Sequence, residues 1–359
     1  MSRTSARRTL AGFALSLALV AGVAGDGFAK VSGEKAERPS ADKVVISWTG
    51  KAPVDIYMSE RPDAALGDAN LVSQGNRTGR FETAVTAARP YYLLKDTGDA
   101  TIVRVAERVV PLAQGSNFRD LGGYPAANGK HVRWGLLYRS GGTPLLSDAD
   151  VARVQSLGIK DLIDLRSSEE RVLAPTRLDG IRYTAVGYRM PALSGRTALT
   201  SMSQVGESYR NFPTMLAPQV RTLFRTLRAA EGPLAYNCTA GQDRTGFATA
   251  LVLTVLGVPR DVVMADYHLS TVYRHPEYEL PKIDATGQPE DSAAFFFASL
   301  QKDGRMNKPQ PLYDANHRAL LEYAFDEMQS RWGGVEGYLN KEVGVTTADI
   351  AKLRLTYLE

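Results

Sequence analysis

The chain has 359 residues, enough for two domains, and its 44% apolar and 23% charged side chains exclude a disordered or fibrous polypeptide. The formal net charge of +4 falls to about +2 without residues 1–29, which carry three arginines and one aspartate, so no basic tract marks a nucleic-acid partner. A single cysteine, Cys238, cannot pair within its own chain and is therefore either an apolar filler or a reactive thiol.

At the N-terminus, Arg3, Arg7 and Arg8 precede an apolar run over residues 10–24 and a small-residue stretch over 25–29. This pattern reads as a secretory signal cleaved near Ala29, since the run is shorter than the ~20 apolar residues of a spanning helix. The mature chain is expected to be exported, periplasmic or secreted, with no stable membrane span. Residues 30–43 are polar, include Pro39 and read as a linker. Over residues 44–112 short β-rich runs follow: VVISW (44–48), VDIYM (54–58), RPYYLLK (89–95) and TIVRVAERVV (101–110), with the turn DTGD at 96–99. They predict a small all-β sandwich, similar to a fibronectin type III module. Without His, Cys or acids at ligand spacing, it reads as a packing or binding module.

From residue 113 the pattern alternates between strand and helix. Residues 132–142 read as a strand. A helix follows with Ser147 as N-cap, Asp150 three residues on and Gly158 as its stop. IKDLIDLR (159–166) is the next strand, and PQVRTLFRTLRAA (218–230) is an amphipathic helix. Then come the strand PLAYNC (233–238), a loop of small residues, and the helix RTGFATALVLTVLG (244–257), apolar on nearly every side and closed by Gly257 and Pro259. The expected fold class is α/β: a central, mostly parallel sheet flanked by helices, preceded by the small β domain.

The loop CTAGQDRTG (238–246) has the parts that phosphate cleavage needs. The backbone N–H groups of Thr239, Ala240, Gly241, Gln242, Asp243 and Arg244 would converge at a helix N-terminus, where unpaired amides and the helix dipole favour an anion. The Arg244 guanidinium can hold two phosphate oxygens in a fork, and the same positive field favours Cys238 as an attacking thiolate. Ala240 and Gly241 keep side chains out of the cradle, Gly246 lets the helix start close to its neighbours, and the Thr245 hydroxyl is placed to assist the sulfur. Chemistry of this type needs no metal or cofactor. His268, His275 and His317 stand at no metal-ligand spacing with acids.

On these residues the second half resembles the cysteine-dependent protein-tyrosine phosphatases, in particular the bacterial PtpB-like group, whose loop reads HCxAGKDRTG. The likeness extends in order through NFRDLGGY (117–124), LYRSG (137–141), IDLRSSEE (163–170), ADYHLS (265–270) and GGVEGYL (333–339), covering about residues 114–359. It implies hydrolysis of phosphotyrosine, with phosphoserine or phosphothreonine in addition, through a phosphocysteine. Two positions depart from the pattern. Asn237 replaces the histidine before the cysteine and brings no imidazole. Gln242 replaces a lysine and removes a point charge that would suit multiply phosphorylated inositol lipids. A phosphoinositide phosphatase and a phosphate-binding protein without turnover are the alternatives these departures raise.

The leaving group also needs a proton. Residues 183–216, where a mobile-loop aspartate would stand, contain none, only Glu207. The candidates are Asp243, inside the loop, and Asp164, at the end of a strand that leads to the same sheet edge. The resemblance favours Asp243 as general acid and base. Asp164 has a structural alternative, an ion pair with Arg166 or Arg119. Arg119 and Asp120 read as a salt-bridged corner with Gly122 and Gly123 in the turn, and residues 276–311 as either a lid or a surface insertion.

Overall fold

The computed structural model describes residues 30–190, 202–304, 309 and 311–359. Residues 1–29, on which the signal expectation falls, lie outside the described residues, as do parts of the stretch 183–216 and of the segment 276–311.

The N-terminal region is built from β1 (Ser32–Ser40), β2 (Lys43–Thr49), β3 (Val54–Ser59), β4 (Asn70–Asn76), β5 (Arg80–Ala84), β6 (Tyr91–Asp96) and β7 (Ile102–Ala106). These form two antiparallel sheets, in the orders β1-β2-β5 and β4-β3-β6-β7. The period-2 rule decides their inner face: Val44, Ile46 and Trp48 of β2 meet Val54, Ile56, Tyr92 and Leu94 of the other sheet in one buried cluster. The linker expected over 30–43 is corrected by β1, which pairs with β2 over most of its length. It is an edge strand that buries little beyond Ala36, so its sequence stays polar although its backbone is bonded.

The second region has a five-stranded sheet of β8 (Arg119–Asp120), β9 (Leu137–Ser140), β10 (Asp161–Asp164), β11 (Arg182–Ala185) and β12 (Leu234–Asn237) in the order β11-β10-β12-β9-β8. The four strands β11, β10, β12 and β9 are parallel, and only β8 runs against its neighbour. The sheet is packed by α1 (Asp148–Ser156), α2 (Ser168–Leu173), α3 (Met202–Arg210), α4 (Phe212–Met215), α5 (Ala217–Ala229), α6 (Asp243–Val255), α7 (Arg260–His268), α8 (Ser270–Tyr273), α9 (Ala293–Lys302), α10 (Leu321–Trp332), α11 (Val335–Tyr338) and α12 (Thr347–Tyr357). Both α1 and α2 start with a complete capping box, Ser147 with Asp150 and Ser167 with Glu170. Apolar all round, α6 buries ten of its thirteen residues.

Register places the site. Asp164, Asn237 and Ser140 are side by side at the carboxyl ends of β10, β12 and β9. The central strand β12 therefore delivers Cys238 to the edge where open α/β sheets bind ligands. The two regions are joined by a buried ion pair of Arg89 with Asp120 at 2.8 Å, by Trp134 Nε1 donating to the Arg104 carbonyl at 3.0 Å, and by the Arg108 guanidinium over the Tyr124 ring.

Candidate active site

The loop between β12 and α6 is held by its carbonyls. The Thr239 carbonyl accepts from Gly142 N–H at 2.8 Å, and Asn117 Nδ2 donates to the carbonyls of Ala240 at 3.1 Å and Gly241 at 2.9 Å. Arg139 Nη2 also donates to the Gly241 carbonyl, at 2.7 Å. Because each peptide is planar and trans, an outward carbonyl turns the next N–H inward. Among the described residues no amide of 239–244 donates to another protein group. Six unspent donors at the start of α6 make an anion cradle. Gly241 is required in it: its φ is +62°, and an added Cβ would stand 2.4 Å from the carbonyl carbon and oxygen of Ser140.

The clamps behind this loop come from elsewhere in the chain. Asn117, at φ +57°, is also hydrogen-bonded through Oδ1 to Arg119 Nη1. Asp266 on α7 ties Arg119 and Arg139 together, accepting from Arg119 Nε at 3.1 Å, from Arg139 Nη1 and from the Tyr124 hydroxyl at 2.9 Å. Burial alone would push the Asp266 carboxyl up, but the two guanidiniums outweigh it and hold it well below the usual range. Arg119 is thus part of the scaffold, as its corner reading expects, and Asp120 completes that corner by capping Gly122 N–H and pairing with Arg89.

Cys238 is free and 1% exposed at the floor of the loop. Arg244 stands on the first turn of α6, and Glu170 of α2 grips it through Nη1–Oε2 at 2.6 Å and Nη2–Oε1 at 2.7 Å. The Tyr188 hydroxyl accepts a further bond from Nη1 at 2.7 Å. Glu170 also takes Thr239 Oγ1 at 2.6 Å and caps Ser167 N–H at 2.9 Å. Burial pushes the Glu170 carboxyl up, yet Arg244 and these donors more than offset it and hold it at about 2. The Thr245 hydroxyl is buried and reaches no protein partner among the described residues, the cysteine sulfur included.

The two candidate acids separate here. Asp164 is at the predicted sheet edge, but it is fully buried and closed by Arg166, whose Nε donates at 3.0 Å, and by the Tyr183 hydroxyl at 2.8 Å. Its catalytic reading is corrected to the ion-pair alternative: with both oxygens engaged it has no path to a leaving group. Asp243 is partly exposed beside Arg244. Its Oδ1 accepts from the Tyr209 hydroxyl and from Gln242 Nε2 at 3.2 Å, while Oδ2 accepts no bond among the described residues. Behind it, the Tyr267 hydroxyl donates to Tyr209 at 2.8 Å. Asn237 is buried; its Nδ2 holds the Cys238 carbonyl at 3.3 Å and so braces the strand end.

Glu170, Tyr188, Asn117, Arg139 and Tyr209 were not singled out as site residues from sequence. One signal was present for Glu170: Ser-x-x-Glu marks a helix start, but it does not say that the same carboxylate also faces an arginine 74 positions on. Among the described residues no cluster of His, Cys, Asp and Glu could hold a metal, and no helix is long and apolar enough to cross a membrane.

A Cys–Arg loop at the carboxyl edge of a parallel sheet defines a phosphate-handling enzyme class, and comparison with known proteins places the chain within it. Residues 110–359 match the tyrosine phosphatase family, and the chain belongs to that family of cysteine-dependent enzymes. A Cupriavidus necator protein assigned to the tyrosine-protein phosphatases is 33% identical over 256 residues, 68% of this chain and 86% of its own. The triple specificity protein phosphatase PtpB of Mycobacterium tuberculosis is 32% identical over 279 residues, 66% of this chain and 95% of its own. The solved structure of P. aeruginosa TpbA aligns with 40% of this chain and 81% of its own, at 20% identity and a TM-score of 0.24.

Proposed function

We propose that this protein is an exported phosphatase that hydrolyses phosphate monoesters, phosphotyrosine in proteins foremost and phosphoserine or phosphothreonine in addition, through a phosphocysteine at Cys238. The observation that carries the reading is the cradle: six backbone amides without a protein acceptor among the described residues and a clamped Arg244 around one buried thiol. In the first step the Cys238 thiolate attacks phosphorus, the S–P bond forms, and the ester P–O bond breaks as Asp243 gives its proton to the departing oxygen. In the second, water attacks the phosphocysteine, Asp243 takes the water's proton, and inorganic phosphate leaves with the thiolate restored. Charge that develops on the equatorial oxygens falls on donors already in place, which is where most of the acceleration in phosphoryl transfer arises.

The N-terminal signal pattern supports export, and the relatives' names support phosphotyrosine and a broader specificity. The test is release of p-nitrophenol from p-nitrophenyl phosphate by the chain lacking residues 1–29, beside Cys238→Ser. Turnover that the serine form loses is expected. No turnover by either folded protein, with vanadate still bound, would instead leave a phosphate-binding protein.

A further inference from the structure

Gln242 does more than fill the position of a lost charge. It is 5% exposed, its Oε1 accepts from Arg274 Nη1 at 2.8 Å, and its Nε2 donates to Asp243. Arg274, just beyond α8, is gripped by Glu279 through Nε–Oε1 and Nη2–Oε2, both at 2.8 Å. Glu279 is fully buried and takes a further bond from Ser116 Oγ at 2.8 Å. The backbone on either side of Arg274 is stitched to the loop's own support. Asn117 N–H donates to the Tyr273 carbonyl at 2.9 Å, and His275 N–H to Ser116 Oγ at 3.0 Å. Arg274 thus repeats on one flank of the loop what Arg244 does on the other: a guanidinium held through two bonds by both oxygens of a buried glutamate.

The group is a fixed cation. Burial pushes the Arg274 guanidinium down, Glu279 more than offsets it, and Asp243 and Cys238 lie within its field. Three bonds use three of the five N–H donors of a guanidinium, and the second hydrogens on Nη1 and Nη2 meet no protein acceptor among the described residues. Its side chain is 9% exposed, so what it offers is directional and largely dry.

We propose that Arg274 is a second anion subsite beside the phosphate loop, one that takes a second phosphate carried on the same substrate close to the phosphate that is cleaved. This rests on the Cys238 loop being the cleaving centre. The charge absent at Gln242 is delivered from the side, and Gln242 is the hinge that fixes it there.

The first test uses the wild-type chain, with inhibition of p-nitrophenyl phosphate hydrolysis by methylenediphosphonate set against methylphosphonate. The bisphosphonate is expected to bind on the order of tenfold to a hundredfold more tightly, the range for charged hydrogen bonds; equal inhibition overturns the subsite. The second test compares kcat/KM on catechol bisphosphate with that on phenyl phosphate. R274Q/E279Q, which removes the pair without orphaning a buried carboxylate, should collapse this ratio by a similar factor, and R274K should keep part of it. A ratio unchanged in the folded double variant overturns the proposal. Vesicles carrying a bisphosphorylated lipid headgroup, beside the same headgroup in solution, separate the two sources: preference for the vesicles assigns the second phosphate to lipid, and equal use assigns it to soluble esters. Absence of turnover on every substrate sinks the phosphatase reading instead, while the two phosphonates can still be compared by calorimetry.

Discussion

Replacing Glu170 by Gln keeps the volume and one acceptor for the capping box but removes the charge that Arg244 faces. The carboxyl is held at about 2 against an ordinary value of 4.5, which corresponds to roughly 3 kcal/mol of folded-state preference for the ionised form. Because this is a depressed acid, its contribution is fully present above about 4.5 and is lost as pH falls from there through about 2. The same interaction seen from Arg244 is not added a second time. The wild type should therefore exceed Glu170→Gln by about 3 kcal/mol near neutral pH, with the gap closing by about pH 2, measured as urea midpoints across that range. Arg244 would keep only Tyr188 as its described partner, and an unaimed guanidinium should lower kcat/KM on p-nitrophenyl phosphate by about a hundredfold. A stability gap of the same size near pH 3 as near pH 7 would refute the reasoning, because an uncharged role for Glu170 has no such dependence.

Tyr209→Phe removes the hydroxyl on Asp243 Oδ1 and should lower the rate on phenyl phosphate about tenfold more than on p-nitrophenyl phosphate, whose leaving group needs little protonation; equal losses on the two esters would remove Tyr209 from the placement of the acid. Gly241→Ala forces a Cβ to 2.4 Å from the Ser140 backbone at a φ of +62°, so at least about 2 kcal/mol of stability and most vanadate binding should go, read by thermal unfolding and calorimetry. Asn117→Ala loses both loop-carbonyl bonds and strains a φ of +57°, whereas Asn117→Gly loses the bonds alone. Both should bind vanadate weakly and the alanine form should be the less stable by about 1 kcal/mol; full vanadate affinity in the glycine form would show that the carbonyl bonds do not shape the loop.

The parts of this molecule that the sequence displays are those whose physics is local. In the β region, β2, β3 and β6 announce themselves because each lies between two neighbours and carries apolar residues of the buried inner face, and β7 joins them. The strands that escape notice, β1, β4 and β5, are all edges, where one side faces water and polar sequences such as that of β1 are sufficient. The caps of α1 and α2, the all-round burial of α6 and the strand-loop-helix junction at Cys238 are likewise fixed within a few residues of one another.

The electrostatic frame of the site follows the opposite rule. Two of the guanidiniums near the loop are aimed by carboxylates that only the fold brings to them: Arg244 by Glu170, and Arg139 by Asp266, 127 positions away. Such pairs are invisible to spacing because a buried charge imposes no periodicity; it requires only that some partner arrive. This is also why two acids that look equivalent in the chain part company in the fold. Asp164 lies two residues before an arginine that can fold back and saturate it, whereas Asp243 opens a helix, where the backbone turns its carboxylate towards the loop and Tyr209 occupies one oxygen. In the mechanism proposed above, the remaining oxygen is the one free to serve the leaving group, and the position of Tyr209, on a helix 34 residues earlier, decides which oxygen that is.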